Sequence, residues 1–126
     1  MSNLSQPSLL SDIRRMLFPD SIVKIPEDLD VFAGHFPSFP MLPGIYSIQI
    51  ALKHLEEKLQ HRIKLHSIQR CKFHQPLLPG MVARIESKLG SKTGNVQNAT
   101  VLLLSEDKLN AHTISEVNLV IEISYE

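Results

Sequence analysis

Residues 33–55 read AGHFPSFPMLPGIYSIQIALKHL, placing a histidine in a proline-rich loop that runs directly into a helical pattern. Pro37, Pro40 and Pro43 each fix a backbone angle, so the loop can hold a side chain at low entropic cost. From Gly44 onward Ile45, Ile48, Leu52, Leu55 and Leu59 recur at alternating intervals of three and four, with Lys53, His54, Glu57 and Lys58 turned away. That spacing predicts a helix over 44–60 with the aliphatic stripe on its buried side. Pro43 stands just before it, where a missing N–H is harmless, and Gly44 leaves the first amides uncovered by any Cβ. The helix N-terminus is therefore open to a ligand.

Upstream, Leu9, Leu10, Ile13, Met16 and Leu17 have helical spacing between Pro7 and Pro19, which predicts a short helix over 8–17. A strand is expected over 21–25. The stretch 26–43, with prolines at 26, 37, 40 and 43, is expected to lack regular structure. Downstream the pattern changes to period two: Ile63 and Leu65, then Ala83, Ile85, Ser87 and Leu89, then residues 96–104, then Val117, Leu119, Ile121, Ile123 and Tyr125. Turns are expected at Pro79-Gly80, over 90–94 and over 105–108. A long helix followed by antiparallel strands is an α+β order, with the helix covering one face of a sheet. There is no internal repeat or linker, and 126 residues suit one domain.

Thirteen basic and thirteen acidic side chains cancel and are spread along the chain. Such a surface suggests neither nucleic acid nor anionic membrane as a partner. The lone cysteine, Cys71, cannot form an internal disulfide, and the first residues lack the charged-then-apolar order of a secretory signal, so a reducing cytoplasm is expected. No apolar run approaches the roughly 20 residues that cross a bilayer. His54 and His61 are assigned to the polar face of the helix, and His66, His74 and His112 to strands, without paired metal-ligand spacing. Neither a metal nor a cofactor is implied.

The segment GHFPSFPMLPG, residues 34–44, resembles the active-site signature of the bacterial 3-hydroxyacyl-acyl-carrier-protein dehydratases, and KFHQPLLPG, residues 72–80, resembles a second segment of the same family. Residues 25–34, IPEDLDVFAG, are most similar to the small dehydratases of aryl-polyene and related polyketide-like pathways. The resemblance implies a hotdog fold, in which a long central helix is wrapped by an antiparallel sheet. It also implies an edge-to-edge homodimer or larger even oligomer, an acyl tunnel at the dimer interface, and a substrate held by acyl carrier protein or coenzyme A. His35 stands where the family keeps the base that takes the C2 proton. Gly44 stands where a backbone amide binds the thioester carbonyl. Both positions suit the chemistry, since a neutral imidazole is a good base near pH 7 and a helix N-terminus favours a developing enolate oxygen. Phe36, Phe39 and Met41 are expected to line or close the tunnel, or else to be simple core.

The departure is Gln49, fourteen residues after His35, where the family places the glutamate or aspartate that protonates the leaving hydroxyl. A carboxamide can orient that hydroxyl but cannot give it a proton. Losing general acid catalysis is typically worth about 10² to 10⁴ in rate. Lys53 occupies a position where the family often has glutamine. Helical geometry puts Gln49 at the edge of the expected buried face, so its plain alternative is an amide satisfied at a core boundary. Tyr46 is the nearest helix residue with an ionisable proton, although a phenol is a weak acid and packing is its alternative role. Asp28 and Asp30 suit backbone-bonding turn roles better than catalysis. Three readings stay open: a dehydratase-type enzyme, a non-catalytic acyl-thioester-binding subunit paired with a complete relative, and, third, a hotdog thioesterase. The last is placed third because such enzymes usually need a carboxylate to activate water, and Glu56 and Glu57 belong with the polar side of the helix.

Overall fold

The computed structural model describes residues 5–34, 41–106, 109 and 111–125. Helix α1 (Ser5–Met16) leads into the two-residue strand β1 (Leu17–Phe18), a 3-10 turn (Pro19–Ser21) and strand β2 (Ile22–Lys24). A five-residue helix α2 (Asp30–Gly34) precedes the long helix α3 (Gly44–Leu59), and four long strands follow: β3 (Arg62–Phe73), β4 (Val82–Thr93), β5 (Val96–Ser105) and β6 (Thr113–Ser124). The strands make one sheet in the order β1-β2-β4-β5-β6-β3, antiparallel throughout. The α+β order expected from the sequence is therefore present, and β3 is a long strand left at one edge.

Registers Ile85↔Leu103, Val101↔Val117 and Ala99↔Leu119 stack aliphatic side chains on one face, where Ile50 and Leu55 of α3 join them in a single core. The arc of α3 that does this is not the expected one. Tyr46, Ser47, Ile50, Ala51 and Leu55 are buried, while Ile45 is 49% exposed and Ile48, Leu52 and Leu59 are only partly buried. At about 100° per residue the two arcs lie roughly a third of a turn apart. The helix thus has two apolar faces, and the more aliphatic one is covered only in part. α3 ends at Gln60, whose φ of 59° is left-handed and whose amide closes on the Glu56 carbonyl at 2.9 Å.

Other boundaries also differ. The stretch after Pro26 contains α2, anchored by the buried Leu29 and Phe32, although no periodicity marks five residues as a helix. β3 runs eight residues past Leu65, because register shifts at 65/67 and 68/70 bring Leu65, Ile68, Cys71 and Phe73 to one face at spacings that break period two. β4 continues through Gly90 to Thr93, so the hairpin turns at Gly94, with φ 63°, rather than across 90–94. His74 and His112 lie beside strands rather than in them, with His112 Nε2 at 2.6 Å from Gln75 Oε1.

The rotated helix face is open to a direct test. Ile50→Ala is expected to lower unfolding free energy by about 2–5 kcal/mol in urea titrations. Ile45→Ala should lower it by much less, and the reverse order would restore the face expected from sequence.

Candidate functional site

The segment that carries His35, Phe36 and Phe39 lies outside the described residues, but both of its ends are anchored. Leu29 and Phe32 are buried before it. After it Leu42, itself buried, donates its amide to the Leu77 carbonyl at 2.8 Å. Ile25 and Gly80 exchange a second pair of ties with this region, the Ile25 amide to the Met81 carbonyl and the Gly80 amide to the Ile25 carbonyl, each at 2.8 Å. Gly80 has φ 82°, which is why the residue after Pro79 in the second signature segment is a glycine. The two segments singled out in sequence are thus stitched together by backbone bonds.

Where they meet there is a cavity of about 460 Å³ lined, among the described residues, by Met41, Leu42, Gly44, Ser47, Phe73 and Leu77, together with the stretch 74–76 and Ser115. No side chain caps α3: Pro43 precedes it in extended conformation, and the Tyr46 amide turns back to the Pro43 carbonyl at 3.0 Å. The Gly44 end of the helix therefore presents its positive dipole end at the cavity wall. The packing gives a second reason for the absence of a side chain at Gly44. A Cβ there would come within 3.3 Å of the Phe73 ring, so the aromatic ring and the helix terminus touch as one wall. Phe73, Ser47 and Ser115 were not expected at this cavity. Phe73 belongs to the second segment, but the bulged part of β3 hides its facing, and the serines carry no local signal.

Gln49 lies elsewhere. It lines a groove of about 260 Å³ with Leu10, Ile13 and Arg14 of α1, Lys53, and Ile63 of β3. Five residues separate Gly44 from Gln49, a rotation of about 140° around α3, and the two line different cavities. The groove is basic on one side. Lys53 is one turn from Gln49 and pairs with Glu56 at 3.8 Å, and Glu56 also accepts the Ile63 amide at 3.2 Å. Glu56 is therefore occupied.

Tyr46 points away from the Gly44 cavity, donating its hydroxyl to Asp12 Oδ2 at 3.2 Å and tying α3 to α1. Burial, with the Asp12 carboxylate beside it, pushes its phenol up to about 12, which removes it as a proton donor near neutral pH. Asp28 pairs with Arg15 at 2.8 Å, a structural use as expected, though with a side chain rather than a backbone amide; this hydrogen bond and charge hold its carboxyl below the usual range.

His54 is not on the solvent side of α3 but half-buried over β4, in a cleft of about 640 Å³. Burial, reinforced by Lys58, holds it below the ordinary histidine range. Its Nε2 lies 3.0 Å from Ser87 Oγ, to which Lys58 Nζ donates at 2.9 Å. The polar groups of this larger cleft are spent on one another. No cluster of three or more histidine, cysteine or acidic residues suited to a metal occurs among the described residues, and no helix among them is long and apolar enough to cross a membrane.

Residues 19–109 match the ApeI-like family, described as ApeI dehydratase. Among curated proteins, the 3-hydroxyacyl-acyl-carrier-protein dehydratase FabZ of Solibacter usitatus is 27% identical over 73 residues, 52% of this chain and 45% of the relative. The match thus spans about half of that relative's length. Among solved structures, an uncharacterized protein from Erwinia carotovora subsp. atroseptica superposes with a TM-score of 0.62 at 25% identity, covering 83% of this chain and 82% of that one. The dehydratase heterocomplex ApeI:P from Xenorhabdus doucetiae gives 0.57 at 25% identity over 82% of this chain and 90% of that one. The fold is the hotdog fold.

The Tyr46–Asp12 contact has a pH signature. The folded phenol holds its proton more tightly than the unfolded one, so stability present below pH 10 should be lost as pH rises from about 10 toward about 12. Denaturant titrations of Tyr46→Phe across that window should lack this component of the decline. Parallel pH profiles for the two proteins would show that the tie is not made.

Proposed function

The chain belongs to the ApeI-like dehydratase family, and from this we propose that it binds 3-hydroxyacyl thioesters, carried by acyl carrier protein or coenzyme A, in the Gly44 cavity. His35 is the base that removes the C2 proton. The Gly44 amide receives the thioester carbonyl and stabilises the enolate oxygen that develops, a role for which an uncapped helix terminus is suited by both its free donor and its dipole. Met41 forms part of the acyl-chain wall, with Phe36 and Phe39 assigned to the same tunnel. The observation that carries this reading is the apolar cavity at the bare N-terminus of α3, nine residues after His35 in the sequence.

The angular separation of Gly44 and Gln49 supports a site built from two chains. On the sheet's inner face Leu65, Ile68 and Phe73 of edge strand β3 are 40%, 43% and 50% exposed, and Ile45 at the start of α3 is 49% exposed. An unpaired edge with uncovered aliphatic groups favours edge-to-edge pairing of a second copy, and light scattering is expected to give at least twice the 14.2 kDa chain mass. In that pairing Gln49 orients the C3 hydroxyl without protonating it, so turnover by the chain alone is slow. A second reading, an acyl-thioester-binding subunit whose complete relative supplies the acid, is favoured by Gln49 and by the similarity to a protein solved as a dehydratase heterocomplex.

Incubation with trans-2-enoyl and 3-hydroxyacyl thioesters, followed by mass, tests both. Slow interconversion that His35→Ala abolishes is expected. Activity that appears only when a complete relative is added supports the subunit reading, and binding of neither thioester overturns both.

The neighbours of Gln49 set the outcome of restoring the acid. Partial burial raises a carboxyl pKa, but Lys53 one turn away and Arg14 across the groove favour the anion. Gln49→Glu alone should therefore gain less than the full 10² to 10⁴ of general acid catalysis. Adding Lys53→Gln should raise the rate further and shift the acid limb of the pH profile upward. Equal rates for the single and double variants would show that Lys53 does not act on this position.

A further inference from the structure

We propose that Ser47 and Ser115 form a polar clamp for the C3 oxygen of the acyl chain, selecting oxygenated over saturated acyl thioesters. The proposal rests on the reading of the Gly44 cavity as the acyl-thioester site. Ser47, on α3, is 6% exposed and Ser115, on β6, is 2% exposed, and both line that cavity. Neither hydroxyl has a hydrogen-bond partner among the described residues. Neither is sealed in protein, since the only fully buried side-chain atom without a partner among those residues is Asn118 Oδ1. Both hydroxyls therefore open into the cavity itself.

Buried polar groups are nearly always bonded, and an unmet one costs about 1–3 kcal/mol. Alanine, which α3 uses four residues later at the buried position 51, would fill the same space with no hydroxyl to present to the cavity. The contrast with the His54 cleft is informative, because there Ser87 is held by two side chains at once. In the Gly44 cavity Ser47 and Ser115 both line the wall amid Leu42, Phe73 and Leu77, and neither hydroxyl bonds another of the described residues.

Position assigns the ligand group. Ser47 follows Gly44 by three residues, about 60° around the helix and about 4.5 Å along it. That is the scale separating the carbonyl and C3 oxygens of a 3-hydroxyacyl thioester. Ser115 approaches from the sheet, in register with Phe73, whose ring touches Gly44. With the carbonyl at the Gly44 amide, the C3 oxygen falls between the two hydroxyls, which can donate to it and accept from it. Ser47 and Ser115 are thus positioning residues for the group that leaves, and they act without donating a net proton.

The test compares dissociation constants of 3-hydroxyoctanoyl-pantetheine and octanoyl-pantetheine for the full chain. The natural protein should favour the hydroxyl-bearing thioester. Ser47→Ala and Ser115→Ala should each cut that preference about 3- to 10-fold, the worth of one hydrogen bond, while leaving octanoyl-pantetheine binding within about twofold. Ser47→Thr, which keeps the hydroxyl, should retain the preference. Equal weakening of both thioesters would place the serines on the pantetheine amides and overturn the clamp. Unchanged preference in both alanine variants overturns it as well, while leaving the acyl-thioester reading intact. If the natural protein binds neither thioester, the reading of the cavity fails and the clamp falls with it.

Discussion

The seating of α3 on the inner face of the sheet governs the rest of the molecule. Ile50 and Leu55 insert among Ile85, Leu103, Val117 and Leu119, and because a helix is rigid this contact fixes the direction of every other side chain along its sixteen residues. Once Ile50 points into the core, Gly44 and Ser47 must face the cavity beneath Phe73, His54 and Lys58 must face Ser87, and Gln49 must face α1. A small rotation of the helix would dismantle all three arrangements together. The Tyr46 hydroxyl on Asp12 adds a second, polar restraint on the same rotation.

This seating also separates what the linear signature joins. His35, Gly44 and Gln49 look like parts of one site when read along the chain, yet five helical residues turn Gln49 away from Gly44 by well over a quarter turn. The exposed inner-face residues of β3, with the exposed Ile45 of α3, are a surface of the kind proteins cover. A second chain laid along this edge would add helix to helix and sheet to sheet, so that one physical deficit, uncovered apolar area, and one chemical deficit, a divided site, have a common remedy.

Satisfaction of polar groups ranks the cavities better than their size does. The larger cleft over β4 looks chemical because it holds a histidine, a lysine and a serine, but those groups bond each other at 2.9–3.0 Å and have little left to offer. The smaller Gly44 cavity holds an uncapped helix end and, in apolar surroundings, two serines whose hydroxyls bond none of the described residues. Low dielectric makes such groups strong when a ligand meets them and costly when none does. Electrostatics likewise separates Gln49 from a simple missing acid: beside Lys53 and Arg14, a carboxyl would tend toward the ionised form and so be a weaker proton donor.

Much was legible from the residues alone, and for local reasons. The α3 span, the strands β4 to β6 and the turn at Pro79-Gly80 follow from periodicity and backbone preference, which act over a few residues. The two signature segments, with His35, Gly44 and Gln49, are legible as a resemblance to the dehydratase family. Three things were decided only by tertiary structure. The buried arc of α3 was misread because the helix has two apolar faces, and periodicity reports that a face is apolar without saying what covers it. The extent of β3 was hidden because its bulges break alternation and are themselves set by pairing with β6. The contacts of Tyr46 and His54 depend on partners 33 or more residues away, and the placing of Ser47 beside Ser115 at one cavity depends on the seating of α3 on the sheet, neither of which can be read from a neighbour in sequence.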